Sequence, residues 1–420
     1  MKKYFTNEAF TVMHNRNFRL FLAYRFCITC AILMQSVIVG WQLYSITKSM
    51  LSLGMIGLTE VIPQISIALI AGHYVDIWDR RRIIFRTTFL LLIGSILLMT
   101  TAIPGLNSGF LAGTAPIFIT VFLVGLVRGI LMPAHTALLG QLVPRELITG
   151  ASTWGSTAWQ VAAVTGPALG GLTYGFFGLL PAYILVFLFF LISILLVFFI
   201  KSPGKVVVDY QSEDSIFARI GEGVRYVFHN QVLLGAFALD MFAVLFGGAV
   251  AMLPVFASDI LKVGPEGLGL LRACPAAGAI IMSVILTFRP PVNGSGIKML
   301  WSVAGFGVCM IVFALSKNFY LSGACLLLSG IFDCVSVVVR GSILQLFTSN
   351  EMKGRVAAVN SIFIGSSNEL GAFESGATAS AMGLIPSVIF GGIMTLVVVG
   401  VATKTVPQLR KLSLRDSYYQ

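Results

Sequence analysis

Long apolar runs alternate along this chain with short charged stretches. A hydrocarbon core about 30 Å thick is crossed by about 20 residues of helix, and the runs supply that length repeatedly. They are apolar on all sides rather than at every second residue, which predicts helices and not barrel strands. The pattern places helices 1 to 6 at about residues 18–46, 52–74, 83–103, 116–138, 153–175 and 180–200. Helices 7 to 12 follow at about 232–257, 267–288, 298–315, 320–345, 356–378 and 383–403.

Between the two groups, the chain turns polar at Lys205, Asp209, Glu213, Asp214, Arg219, Glu222 and Arg225. Within this stretch Ile216, Phe217, Ile220, Val224, Val227 and Phe228 recur at helical spacing. That predicts an amphipathic helix lying on the inner membrane surface or against the bundle. Two echoes relate the groups. Residues 57–63 (GLTEVIP) return as 269–275 (GLLRACP), and Gly125, Leu126, Val127, Arg128 return as Gly330, Ile331, Phe332, Asp333. The chain therefore reads as duplicated, with helices 2 and 8, and 4 and 10, in equivalent places. The expected fold is an all-α membrane protein with twelve transmembrane helices in two pseudo-symmetric six-helix halves. Residues 1–200 form the first half, 201–231 a cytoplasmic linker, and 232–420 the second half with its tail.

Composition sharpens the class. The 420 residues are 57% hydrophobic and 11% charged, with a mean hydropathy of +0.92, against about 25% charged in soluble domains. A net charge of +11 raises nucleic acid as a partner, but the basic residues sort by loop, not by patch. Lys48, Lys262 and Lys317 fall on one side and Arg25, Arg128, Arg272 and Arg340 inside helices; the rest lie in loops on the other side. By the positive-inside rule that richer side is cytoplasmic, and it holds both termini. The expected partners are the bilayer and a small-molecule substrate, with no nucleic acid, in a monomer. The six cysteines all fall in apolar runs, so no disulfide framework is indicated, and Cys27 and Cys30 read as packing rather than as a metal or redox pair. The first apolar run is too long for a cleavable signal. No GxxxxGK[ST] phosphate loop, metal-ligand motif or nucleophile-base arrangement is visible, which speaks against an ATP-driven pump and against an enzyme. No cofactor is expected, only a proton gradient as the energy source.

An ionisable residue near mid-bilayer costs about 2.5–3.5 kcal/mol, so those retained need a reason. They are Arg25, Glu60, Arg128, Asp240, Arg272, Asp333, Arg340, Glu369 and Glu374. The repeat sets Glu60 against Arg272, Arg128 against Asp333 and, more loosely, Arg25 against Asp240, which suits ion pairs between halves that part when a transporter opens. Asp333 and Arg340 also share one helical face, which permits a local network. Static salt bridges are the plainer reading for any one residue. For the whole set they are costly, since buried pairs gain little over packed apolar residues. Arg128 and Asp333, near mid-helix, lead the candidates for substrate or proton coupling, with Arg340, Glu60, Arg272, Glu369 and Glu374 behind them. Arg25 and Asp240, nearer the cytoplasmic end, read as a gate pair. His135 reads as a structural polar group rather than a proton relay.

The loop after helix 2 carries Gly72, Asp76, Arg80 and Arg81 and resembles the signature of the major facilitator superfamily, with Ile77 and Asp79 where that signature has Arg and Gly. The resemblance covers about residues 16–405 and implies that Asp76 faces the positive end of helix 11. In helix 5, Gly166, Pro167, Ala168, Leu169, Gly170 and Gly171 are similar to the glycine-proline motif of the superfamily's antiporters. Such glycines permit close helix contact and the proline frees a carbonyl, although ordinary close packing is the plainer reading. GIFDCVSVVVR in helix 10, residues 351–355, and SNELGAFESG in helix 11 resemble the bacterial branch that includes the enterobactin exporter and related secretion carriers. This implies export of a siderophore-like metabolite or drug across the bacterial inner membrane by alternating access, as an H⁺ antiporter. An uptake symporter of the same fold and a transport-inactive membrane sensor stay open as the other readings.

Overall fold

A computed structural model describes residues 11–201 apart from 104 and 106–108, and residues 216–414 apart from 350; the side chains of 69–77, 110, 112, 145, 216–220, 358, 361 and 362 lie outside that description. Helices 1 to 6 are Arg16–Thr47, Met50–Ile77, Arg80–Ala102, Ala115–Leu142, Ile148–Phe177 and Leu179–Phe199. Helix 7 starts as Gln231–Phe246, and helices 8 to 12 are Pro265–Phe288, Ser295–Leu315, Phe319–Phe347, Lys353–Met382 and Leu384–Thr405. No strand occurs among the described residues. Ten of these helices are long and apolar enough to cross a membrane, with helix 7 counted over Gln231–Ile260. Helices 5 and 11 have 30 residues each and are as long, but less apolar. Glycine, serine and threonine dilute the first, and Lys353, Arg355, Glu369 and Glu374 the second.

Local chemistry fixes the helix ends. Asp79 accepts from the backbone N–H of Arg81 (2.9 Å) and Arg82 (3.3 Å) and caps helix 3. Asn230 and Asn318 cap helices 7 and 10 in the same way. Gly178 (φ 88°) turns the chain between helices 5 and 6, and Gly383 (φ 93°) does so between 11 and 12. That left-handed region favours glycine, and the two corners stand at the same offset from Gly125 and Gly330.

Helix 7 differs from its expected single run. It stops at Gly247 and Gly248 and continues as a 3₁₀ turn (Ala249–Met252), a short helical turn (Leu253–Val255) and a π turn (Phe256–Ile260). Two glycines weaken the helix, and Pro254 fits only where no intrahelical donor is needed. The break lets backbones meet, since a Cβ on Gly248 would stand 2.7 Å from the Gly371 carbonyl oxygen of helix 11.

The described contacts group the chain into two units. Unit 1 is Met1–Ile46, Thr59–Ser212 and Gly264–Ala273; unit 2 is Thr47–Leu58, Glu213–Val263 and Cys274–Gln420. Within unit 1, a Cβ on Gly125 of helix 4 would strike the Glu60 carbonyl oxygen and reach 2.9 Å from the Pro63 ring of helix 2. Within unit 2, a Cβ on Gly330 of helix 10 would strike the Pro275 carbonyl oxygen of helix 8. The echo in sequence is thus an echo in packing. Glycine is needed at both places because the neighbouring backbone occupies the side-chain volume.

The linker forms the helix Ile216–His229, which belongs to unit 2. Val227 is buried, and the Tyr226 hydroxyl donates to the Phe347 carbonyl (3.3 Å) while accepting from the Ser349 N–H (3.2 Å). Glu222 pairs with Arg355. Its inner face therefore rests against helices 10 and 11, and Phe228 stays exposed.

Candidate functional site

In unit 1 helix 4 lies close on helix 2 because Gly125 and Gly129 face its backbone, the latter against the Gln64 carbonyl oxygen. Arg128 sits between these glycines and forms an ion pair with Glu60. The pair is partly open, with 37% of the Arg128 side chain and 13% of the Glu60 side chain exposed. Arg272, on the part of helix 8 that belongs to unit 1, donates to the Ser36 hydroxyl of helix 1 at 3.2 Å. His135 is buried and hydrogen-bonded to the Tyr24 hydroxyl at 2.8 Å, with Thr88 at 3.5 Å from the same hydroxyl. This is a closed polar knot between helices 1, 3 and 4. A second knot joins Gln42 to Thr101 (3.1 Å) and accepts the Tyr183 hydroxyl.

In unit 2 Asp240 of helix 7 pairs with Arg340 of helix 10. Only 5% of the Arg340 side chain and 6% of that of Asp240 are exposed. Asp333, two turns before Arg340, is exposed and lines one small cavity together with Asp240. Glu369 and Glu374 lie half-buried on helix 11, the first with its backbone carbonyl against Gly57 of helix 2.

Glu60 pairs with Arg128 inside unit 1, and Asp240 with Arg340 inside unit 2. The repeat had suggested pairs that cross between halves, with Asp240 answering Arg25. Asp240 instead pairs with Arg340, which helix 10 carries against helix 7 inside unit 2. Among the described residues Arg25, Asp333 and Glu374 have no ion-pair partner.

Of the motif expected in the loop after helix 2, Gly72 and Asp76 instead stand in the last turns of helix 2, which runs on to Ile77, and the Asp76 side chain lies outside the described residues. Arg80 is buried, and Arg81 donates to the carbonyls of Val197 (3.1 Å) and Phe198 (2.5 Å) at the end of helix 6. There the guanidinium meets the negative end of the helix dipole. In the helix 5 motif, Gly166 and Gly170 face helix 1, with ideal Cβ positions 3.0 Å from the carbonyl oxygens of Cys30 and Met34. Gly171 faces Gly269, and the Pro167 carbonyl oxygen stands against the same Gly269. Sequence reading missed the Asp79 cap, although an Asp just before a helix announces one, and it missed the two polar knots, whose partners lie far apart in the chain.

An all-helical, multi-pass membrane chain with ion pairs set among its helices has the make-up of a transporter of the major facilitator class. Solved structures agree on the fold. A POT family transporter in complex with 5-aminolevulinic acid aligns with a TM-score of 0.73 at 12% identity, over 94% of this chain and 97% of that one. A bacterial homologue of the iron transporter ferroportin in an inward-facing state aligns at 0.68 and 17%, over 94% and 99%. Residues 7–418 match the family model of the transmembrane secretion effectors, and the chain belongs to that family. It is 22% identical over 399 residues to Macrolide efflux protein A of Streptococcus pyogenes, covering 92% of this chain and 95% of that protein. It is also 22% identical over 271 residues to the MFS-type transporter YfmI of Bacillus subtilis (strain 168), covering 61% and 66%. The protein is a membrane transporter and not an enzyme.

Proposed function

We propose that this protein exports a small organic molecule, a siderophore-like metabolite or a drug, by alternating access with a proton moving the other way. The observation that carries the direction is the likeness to Macrolide efflux protein A along nearly the whole of both chains. Proton antiport is supported by Asp333 and Glu374, carboxylates on helices 10 and 11 that have no ion-pair partner among the described residues and are available to exchange a proton with water. The helix 5 glycines favour export through the resemblance they carry. The skew of Lys and Arg between loops supports a bacterial inner-membrane location with both termini in the cytoplasm.

The test is comparative mass spectrometry of cell extract and spent medium from the parent and a deletion strain, grown with and without iron, with macrolide susceptibility measured alongside. A compound retained in the deletion strain and depleted from its medium establishes export and names the cargo. Dependence on iron selects the siderophore class, whereas macrolide sensitisation selects a drug. A compound left in the medium because the deletion strain cannot take it up replaces export with symport. An unchanged phenotype after neutralising both Arg128 and Asp333 would point to a sensor.

A further inference from the structure

Unit 2 holds a small, partly open cavity of about 20 Å³ whose lining includes Asp240, Ser302, Phe306, Phe332, Asp333 and Ser336. That is room for one water molecule or one bare monovalent ion. Ser336 is 2% exposed, and its hydroxyl has no hydrogen-bond partner among the described residues. A helical serine ordinarily bonds back to the carbonyl one turn earlier, as Ser342 of the same helix does to Val338 at 3.0 Å. A buried hydroxyl left unpaired is unfavourable, so its position on the cavity wall asks for a guest with a proton to share.

Charge points to the same guest. Asp333, Ser336 and Arg340 stand at spacings of three and four on one face of helix 10. Arg340 is held by Asp240, so these two cancel. Asp333 has no ion pair or hydrogen bond among the described residues, and it leaves the cluster with one net negative charge. Helix 9 brings Ser302 and Phe306 to the cavity and no charged group. Cys334, next to Asp333, is buried, while Arg272 of helix 8 and Glu369 and Glu374 of helix 11 are not among the lining residues.

We propose that Asp333 is the group that binds the coupling proton, with one water in the cavity joining its carboxyl to Ser336, and with Asp240, held by Arg340, fixed in the cavity wall beside them. The inference rests on the antiport reading and adds its location. On loading, the Asp333 carboxylate takes one H⁺ from a hydronium ion, which leaves as water, and the cluster goes from one net negative charge to none. On release the acid returns that proton to water. While loaded, the acid donates to the cavity water and the water donates to the Ser336 hydroxyl oxygen.

The experiment is difference infrared spectroscopy of the purified protein in liposomes, titrated from about pH 9 to about pH 5, a window that brackets carboxyl protonation in partly buried settings. In the parent, a protonated-carboxyl band is expected to grow on acidification. It is expected to vanish in Asp333→Asn, to change frequency in Ser336→Ala as its water link is lost, and to persist in Glu146→Gln. Circular dichroism and gel filtration of each variant check that it is folded. A band that survives in folded Asp333→Asn, or that disappears in Glu374→Gln instead, overturns the assignment. A titration that moves when choline is replaced by Na⁺ makes the cavity a metal-ion site and overturns it too. Flux of the compound found in the deletion strain separates coupling from export: Asp333→Asn is expected to lose uphill export while exchange of labelled for unlabelled compound stays within about twofold of the parent. Uphill export retained in Asp333→Asn defeats the coupling role. Failure of the parent to move any compound defeats the export reading, with the infrared result still deciding whether the proton site exists.

Discussion

Glu60 with Arg128 and Asp240 with Arg340 are the same chemical contact in two settings. In unit 1 the arginine is 37% exposed and its partner 13%, whereas in unit 2 both partners are sealed at 5% and 6%. The same attraction therefore has different consequences. A partly exposed pair separates at lower cost than a sealed one, while removing one partner from a sealed pair strands a charge in an apolar interior. The open pair suits a working contact and the sealed pair suits a foundation.

The strongest way to break this comparison is Arg340→Ala. It strands Asp240 and is expected to lower stability by about 3–5 kcal/mol, with much of that recovered in the double variant with Asp240→Ala. Thermal unfolding in detergent, followed by intrinsic fluorescence, reads it, and a loss no greater than that of Glu60→Gln would erase the distinction. Next come Gly330→Ala and Gly125→Ala, each expected to cost about 1–3 kcal/mol by driving a methyl group into a carbonyl oxygen. Gly341→Ala, with open space around its Cβ position, is the matched control. Equal losses at Gly125 and Gly330 would sharpen the view that packing is duplicated while charge is not. Glu60→Gln is expected to cost about 1 kcal/mol or less, and its effect to shrink in high salt as screening weakens the parent pair, whereas that of Arg340→Ala does not. Smallest of all, Glu222→Gln on the linker helix breaks an exposed pair with Arg355 and is expected to stay within about 0.5 kcal/mol in the same assay.

The helices were legible because their length and all-round apolarity are local properties. The duplication was legible because Gly57, Pro63 and Gly125 recur as Gly269, Pro275 and Gly330, and each of these glycines stands against a neighbouring helix backbone that leaves no room for a Cβ without a shift. The charged positions of the candidate site could be found, since charge in an apolar run is conspicuous. Their partners could not. Which helices touch is decided by small residues meeting a distant backbone, and neither Glu60 nor Asp240 announces in its own neighbourhood that it will meet Arg128 or Arg340. Nor does the linear repeat reveal that residues 264–273 group with unit 1 and residues 47–58 with unit 2. Helix 7 shows the opposite limit: Gly247, Gly248 and Pro254 stood in the sequence as break signals inside an apolar run that looked continuous.

That break also gives helix 7 two clocks. Amides in Gln231–Phe246 are tied into regular helical turns, whereas past Gly247 the bonds tighten to short reaches, Ala249 to the Gly247 carbonyl and Ala251 to that of Gly248, before widening again near Phe256. Each change of reach interrupts the relay by which one turn holds the next closed. Transferred to heavy water, the stretch beyond Gly247 should take up deuterium ahead of the turns before it, so that one continuous piece of chain reports as two.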